Sequence, residues 1–142
     1  MPNYYTQYSE IITDLTPEEK AWCERALGIL ILWCDQHDVE LPGLALGQNP
    51  DQIQIISDEG SNLELTVDCL QAFLFRWRPT EIVMLQWANT CDRPVPGAYG
   101  GGALVFDANE ARWLATGNWA AEQAKALRQG LPEITAEEQE TI

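Results

Sequence analysis

Positive charge is scarce in this chain. Eight Lys and Arg stand against twenty-two Asp and Glu in 142 residues, a formal net charge of −14. From Ala26 through Phe75 there is no Lys or Arg, while Asp35, Asp38, Glu40, Asp51, Asp58, Glu59, Glu64 and Asp68 all lie there. A field of that sign repels phosphate backbones, which argues against direct nucleic-acid binding. It attracts a basic protein surface. The plainer alternative is that the acids keep a small protein soluble.

Other features are missing too. No run of about 18 apolar residues exists, so no helix is expected to span a membrane. MPNYYTQYSE has no basic start followed by an apolar run, so it does not read as a secretory signal, and a cytoplasmic location is expected. Cys23, Cys34, Cys69 and Cys91 are too widely separated for a zinc site and are expected to be thiols. Asp58-Glu59-Gly60-Ser61-Asn62 lacks the alternating acids and later Glu of a calcium loop. Gly100-Gly101-Gly102 has no neighbouring lysine and leads into a strand, unlike a phosphate-binding loop. No metal and no cofactor are expected.

What is present suggests a single domain over residues 1–132, followed by an acidic, disordered tail over 133–142. At 46% hydrophobic residues, the chain can bury a core without disulfides or metal. Thr16-Pro17-Glu18-Glu19 is a capping box, and Cys23, Ala26, Leu27, Leu30, Ile31 and Cys34 then follow at helical spacing. Ile29, Leu32 and Trp33 make the opposite side of that helix apolar, so it is expected to be covered on more than one side. Gln52–Ser57 alternates as a strand. Ser61 and Glu64 form a second capping box for a helix to Trp77, with Leu63, Val67, Leu70 and Leu74 on one stripe. Arg76 and Arg78 suit its C-terminal end, where Pro79 stops it.

Two strand-like runs, Ile82–Ala88 and Ala103–Phe106, flank a loop punctuated by Pro94, Pro96, Gly97 and the three glycines. In the first, Val83, Leu85 and Trp87 share one face and Met84, Gln86 and Ala88 the other. The glycines are expected to allow positive φ, a bulge or close backbone approach, with Tyr99 and Trp87 packing across the bend. Asp107 and Glu110 predict a short helix through Trp113 and Leu114 that Gly117 ends. Asn118 is then expected to cap a last helix from Trp119 to about Gln129. Residues 3–12 read as an edge strand or packed arm, and together with 43–48 could add strands. The order predicts an α+β two-layer sandwich, a small mostly antiparallel sheet with helices packed on one face.

Cys91, Asp92, Arg93 and Tyr99 at this loop, with Trp87 and Gly100–Gly102, are the candidate lining of a small enzyme or ligand site. Cys91 is the one candidate nucleophile, with glycine amides as an oxyanion hole, but its base would have to be His37, the sole histidine. Among the six tryptophans, Trp33, Trp77 and Trp87 are expected in the core. Trp22, Trp113 and Trp119 sit on helix faces, and two of them exposed together would mark a protein-binding patch.

Ser57-Asp58-Glu59-Gly60, Trp87-Ala88-Asn89-Thr90-Cys91, Pro94 and Tyr99-Gly100-Gly101-Gly102-Ala103, with Trp119, resemble the skeleton of a group of short uncharacterised proteins from bacteria and their phages or mobile elements. The likeness covers about the middle half of the chain. No activity is assigned to that group, so no functional residue carries over. The resemblance implies a phage or accessory-genome origin, where small acidic proteins often block host defence enzymes. The leading expectation is a non-enzymatic interaction protein. Asp35, Asp38, Glu40, Asp58, Glu59, Glu64 and Asp68 would engage a basic, nucleic-acid-handling protein partner, in the manner of an anti-restriction or anti-CRISPR nucleic-acid mimic. A structural or assembly subunit is the third reading.

Overall fold

The computed structural model describes residues 3–47, 49–58 and 60–130. The expected acidic tail, 133–142, and Glu59 lie outside the described residues. The elements run β1 (Tyr4–Ile12), α1 (Pro17–His37), β2 (Leu44–Leu46), β3 (Ile53–Ser57), α2 (Leu63–Trp77), β4 (Val83–Cys91), β5 (Gly100–Phe106), β6 (Ala111–Ala115) and α3 (Thr116–Arg128). Six strands form one sheet in the order β2-β3-β1-β4-β5-β6, every neighbouring pair antiparallel. The α+β sandwich expected from the sequence is the one observed, with helices on one face.

The inward positions alternate as the sequence predicts. Val83 and Leu85 on β4 face Phe106 and Leu104 on β5 in register, and all four are buried. Ile53, Ile55 and Ile12 extend this layer across β3 and β1. From α2, Val67, Leu70, Phe73 and Leu74 close over it, the predicted stripe. Each of these fully buried Leu, Ile or Phe side chains contributes about 1.5–3 kcal/mol relative to exposure. Trp77 and Trp87 pack against the cluster half-buried, while Trp22 meets Phe73 with centroids 6.0 Å apart.

Four local expectations are corrected. Residues 4–12 form a central strand, not an edge or an arm: β1 pairs with β3 through Tyr8–Ile12 and with β4 through Tyr4–Gln7. The cap of α2 is Asn62, whose Oδ1 accepts from Leu65 N at 3.0 Å, and not Ser61. Ser61 is instead taken by the Tyr8 hydroxyl, which reaches it from β1. Asp107 and Glu110 close a β-turn rather than start a helix: Asp107 Oδ1 accepts from the N–H groups of Asn109 and Glu110, and Asp107 N–H donates to Glu110 O. Those bonds hold the Asp107 carboxyl below the usual range. The turn delivers β6, which pairs with β5, so Trp113 sits on a strand. Finally, α3 begins at Thr116 and not at an Asn118 cap; the Thr116 hydroxyl ties it to Gly101 O at 3.0 Å. Gly130 follows its last turn in the left-handed region, φ 69°, where glycine is the residue without strain.

The connection after α1 is fastened tightly to the start of α2. Gly43 N–H donates to Thr66 Oγ1 at 2.7 Å, Thr66 donates to Asn62 O at 2.8 Å, and Asn62 N–H donates to Leu41 O at 2.9 Å. Thr66 is fully buried at this crossing. A Cβ on residue 43 would collide with the Tyr8 hydroxyl and Ser61, so the crossing needs glycine there.

Candidate functional site

The least expected surface is the second half of α1. Cys23, Leu27 and Cys34 turn inward and are buried, as their spacing predicts. Ile29, Ile31, Leu32 and Trp33 do not follow: they are 69%, 48%, 58% and 43% exposed. The expectation that this helix is covered on more than one side, with Trp33 in the core, is therefore corrected. Sheet and α2 take one face, and no described element takes the other.

Residue Asp38 shapes what lies beyond. It ends α1 in the left-handed conformation, φ 52° and ψ 47°, and both its own N–H and that of Val39 donate to Cys34 O. The chain doubles back, bringing the exposed Val39 and Leu41 beside Ile31 and Leu32. Gly28 and Cys34 complete a groove of about 450 Å³, with Asp35 and Asp38 on its lip. Glu40 and Asp58 line a neighbouring depression together with Leu41, Ile56 and Ser61. Four of the predicted binding acids thus line two depressions that meet at Leu41. Glu64 and Asp68 are exposed on α2 and line neither depression.

These acids form no ion pair among the described residues. Among the described residues the ion pairs are Arg78 with Glu19 and Glu81, and Arg112 with Glu110; none involves an acid between residues 26 and 75. Asp35 and Asp38 also sit at the negative end of a helix, where a carboxylate costs about 0.3–1 kcal/mol. His37 brings no compensation through an acid. Its ring stacks on Trp33 at 4.4 Å, and Nδ1 lies 2.9 Å from Trp33 O.

The loop between β4 and β5 holds a different arrangement. Asp92 continues the β1 pairing, accepting from Asn3 N–H at 2.9 Å and Asn3 Nδ2 at 3.0 Å. The Tyr99 hydroxyl donates to Cys91 O at 3.0 Å and Arg93 O at 3.2 Å, closing the loop on itself. The glycines give close approach, as expected: a Cβ at Gly102 would strike the Trp87 ring and Leu114 O, and one at Gly101 would strike Trp87 O. Trp87 crosses the bend and meets Trp113 edge-on at 5.9 Å. An open cleft of about 540 Å³ does lie beside the loop, but Thr6, Glu40, Ser61, Asn89, Thr90 and Gly97 are among its walls. Cys91, Asp92, Arg93, Trp87, Tyr99 and Gly100–Gly102 do not line it. Cys91 is buried, its thiol 3.9 Å from Asp92 Oδ1, with no histidine in contact.

The cysteines are free thiols. Burial, reinforced by Cys69 and Glu19, pushes Cys23 up to about 12, and burial pushes Cys69 up to about 11, so neither is a nucleophile at neutral pH. Among the described residues no cluster of His, Cys, Asp and Glu could hold a metal ion, and no helix is long and apolar enough to cross a membrane. Trp113 and Trp119 are about half exposed, but on β6 and α3 and not around the acids. The chain matches no family model, no curated protein and no solved structure.

Proposed function

We propose that this protein is a non-enzymatic interaction protein that docks a basic protein partner on the C-terminal half of α1. The observation that carries this reading is the exposure of Ile29, Ile31, Leu32 and Trp33 on a helix that ends at Asp35 and Asp38, next to the depression lined by Glu40 and Asp58; among the described residues none of these four acids forms an ion pair. Exposed apolar side chains beside carboxylates without ion-pair partners are what a specific partner of opposite charge covers. The aromatic and branched side chains supply contact area; the carboxylates steer the approach and select the partner.

Proteins that handle nucleic acid present such basic surfaces, with spaced cations that a row of carboxylates can occupy in place of phosphates. The reading is therefore an inhibitor acting by nucleic-acid mimicry, of the anti-restriction or anti-CRISPR type, encoded by a phage or mobile element. The test is affinity capture from bacterial lysate at low and high salt. The bait is the wild type, a Asp35→Asn/Asp38→Asn/Glu40→Gln variant and a Leu32→Ser/Trp33→Ser variant. A basic nucleic-acid-handling protein retained by the wild type, released by salt and lost by both variants supports the reading. Capture that ignores salt and survives neutralisation of the acids defeats it.

A further inference from the structure

The sheet has a second face, and its chemistry is the reverse of the α1 end. Register directs Gln7, Ile11, Ile56, Met84, Val105 and Leu114 away from the helices. The apolar members are conspicuously open: Ile11 is 47% exposed, Ile56 42%, Met84 69%, Val105 41% and Leu114 54%. Met84 stands opposite Val105 on the neighbouring strand, so the central strands carry an unbroken apolar pair. Around these stand glutamines, alanines, Ser and Thr; of the strand positions facing this way, Arg112 alone is charged. In a chain of net charge −14, the strand positions of this face carry no carboxylate; acids enter only at its margins, Glu40 and Asp58 beside Ile56 and Glu110 against Arg112.

We infer that this face is where a second copy of the chain binds, two sheets packing back to back about a two-fold axis. Two polyanions repel, so copies meet only where few anions are brought together. The sheet face meets that condition and the acid-rimmed α1 end does not. The face is also self-complementary: twisted antiparallel sheets stack about 10 Å apart with their strands roughly 30° off alignment, and a two-fold axis sets each apolar row against its counterpart. Six strands at about 4.8 Å, each offering roughly five residues at about 3.3 Å, present about 500 Å² of flat sheet per copy. The pair covers about 1,000 Å² before side-chain relief is counted, which reaches the size a specific interface needs. The groove along α1 shares no lining residue with this face; the depression lined by Glu40 and Asp58 meets it at Ile56, on the rim of the pair.

Sedimentation equilibrium of the full chain over a range of concentrations tests this at low and high salt. A dimer is expected whose association tightens as salt screens the like charges, opposite to the salt response of the α1 site. Met84→Glu and Val105→Glu each place a carboxylate in the dimer centre, and each should weaken association by about a hundredfold or more. Because both positions are exposed in the single chain, far-UV circular dichroism should be unchanged; Met84→Gln, uncharged and milder, serves if either Glu variant misfolds. Leu32→Ser/Trp33→Ser should remain dimeric. A wild type that stays monomeric at every concentration and salt overturns the inference, including the case in which the monomer uses this face for another protein. A dimer that survives the sheet variants but is lost in the α1 variant overturns it too.

Discussion

Arg78, at the end of α2, clasps the carboxylate of Glu19 in the first turn of α1, with Nε 2.8 Å from Oε2. The same guanidinium donates to the carbonyls of Thr13 and Asp14, each at 3.0 Å, and to Glu81. Glu19 meanwhile completes the α1 capping box, accepting from Thr16 N–H at 2.9 Å. One pair of side chains therefore fixes the entry of α1, the exit of α2 and the turn that leads from β1 into α1. Arg78→Ala leaves a buried carboxylate and two carbonyls without their donor, and is expected to cost about 3 kcal/mol in urea unfolding. Arg78→Lys keeps the charge but loses the fork, and should recover less than half of that. Equal stability of Arg78→Ala and wild type would remove the pair from any structural role.

The same contact predicts an acid limb. Burial opposes charge on Glu19, but hydrogen bonds from Arg78 and Thr16 outweigh it and hold the carboxyl below its ordinary value. The unfolded chain then binds more protons as pH falls, so the stabilisation is present above about pH 4.3 and is lost as pH drops through the folded value. Unfolding midpoints measured from about pH 5 to about pH 3 should fall more steeply for the wild type than for Glu19→Gln. Parallel curves would contradict this.

Cys23 and Cys69 predict an alkaline limb. Their raised values, about 12 and about 11, mean that the unfolded chain loses these protons first. Stability from both is intact below about pH 8.5 and declines as pH rises toward the folded values. Iodoacetamide at about pH 8 should modify both slowly in the native protein and rapidly in urea, as read by mass spectrometry. Fast native labelling of Cys23 would refute the burial argument.

Two glycine substitutions should act in opposite directions. Gly102→Ala drives a methyl into the Trp87 ring and the Leu114 carbonyl, and should destabilise by about 1–3 kcal/mol. Gly28, in the middle of α1, has open space where a Cβ would go. Gly28→Ala should stabilise by about 0.8 kcal/mol through helix propensity alone. Thermal unfolding of the two variants, compared with wild type, decides both.

The sequence made some of this plain and concealed the rest for physical reasons. Helices α1 and α2 and strands β4 and β5 are legible because their apolar periods are long and their ends are marked. The β6 strand is not, because Asp107 and Glu110 make the same side-chain-to-backbone bonds whether a helix or a hairpin follows; only pairing with β5 decides it. The Ser61 cap fails because Tyr8, far away in sequence, takes its hydroxyl. Of the candidate site, the run of acids was readable, and so was the apolar character of Ile29, Leu32 and Trp33. That these belong together on an open surface was not, since a helix apolar on all sides reads as buried until the fold shows one side bare.

The central place of β1 has a consequence for synthesis. The earliest-made strand of the sheet closes its ladder only with residues 53–57 and 88–91, so it must wait while most of the domain is translated. At about 5–20 residues per second that delay lasts several seconds, during which Tyr8 and Ile12 have no sheet to enter. Folding of the sheet is expected to wait on this long-range pairing, since loop closure over about 80 residues comes before the contacts that reward it.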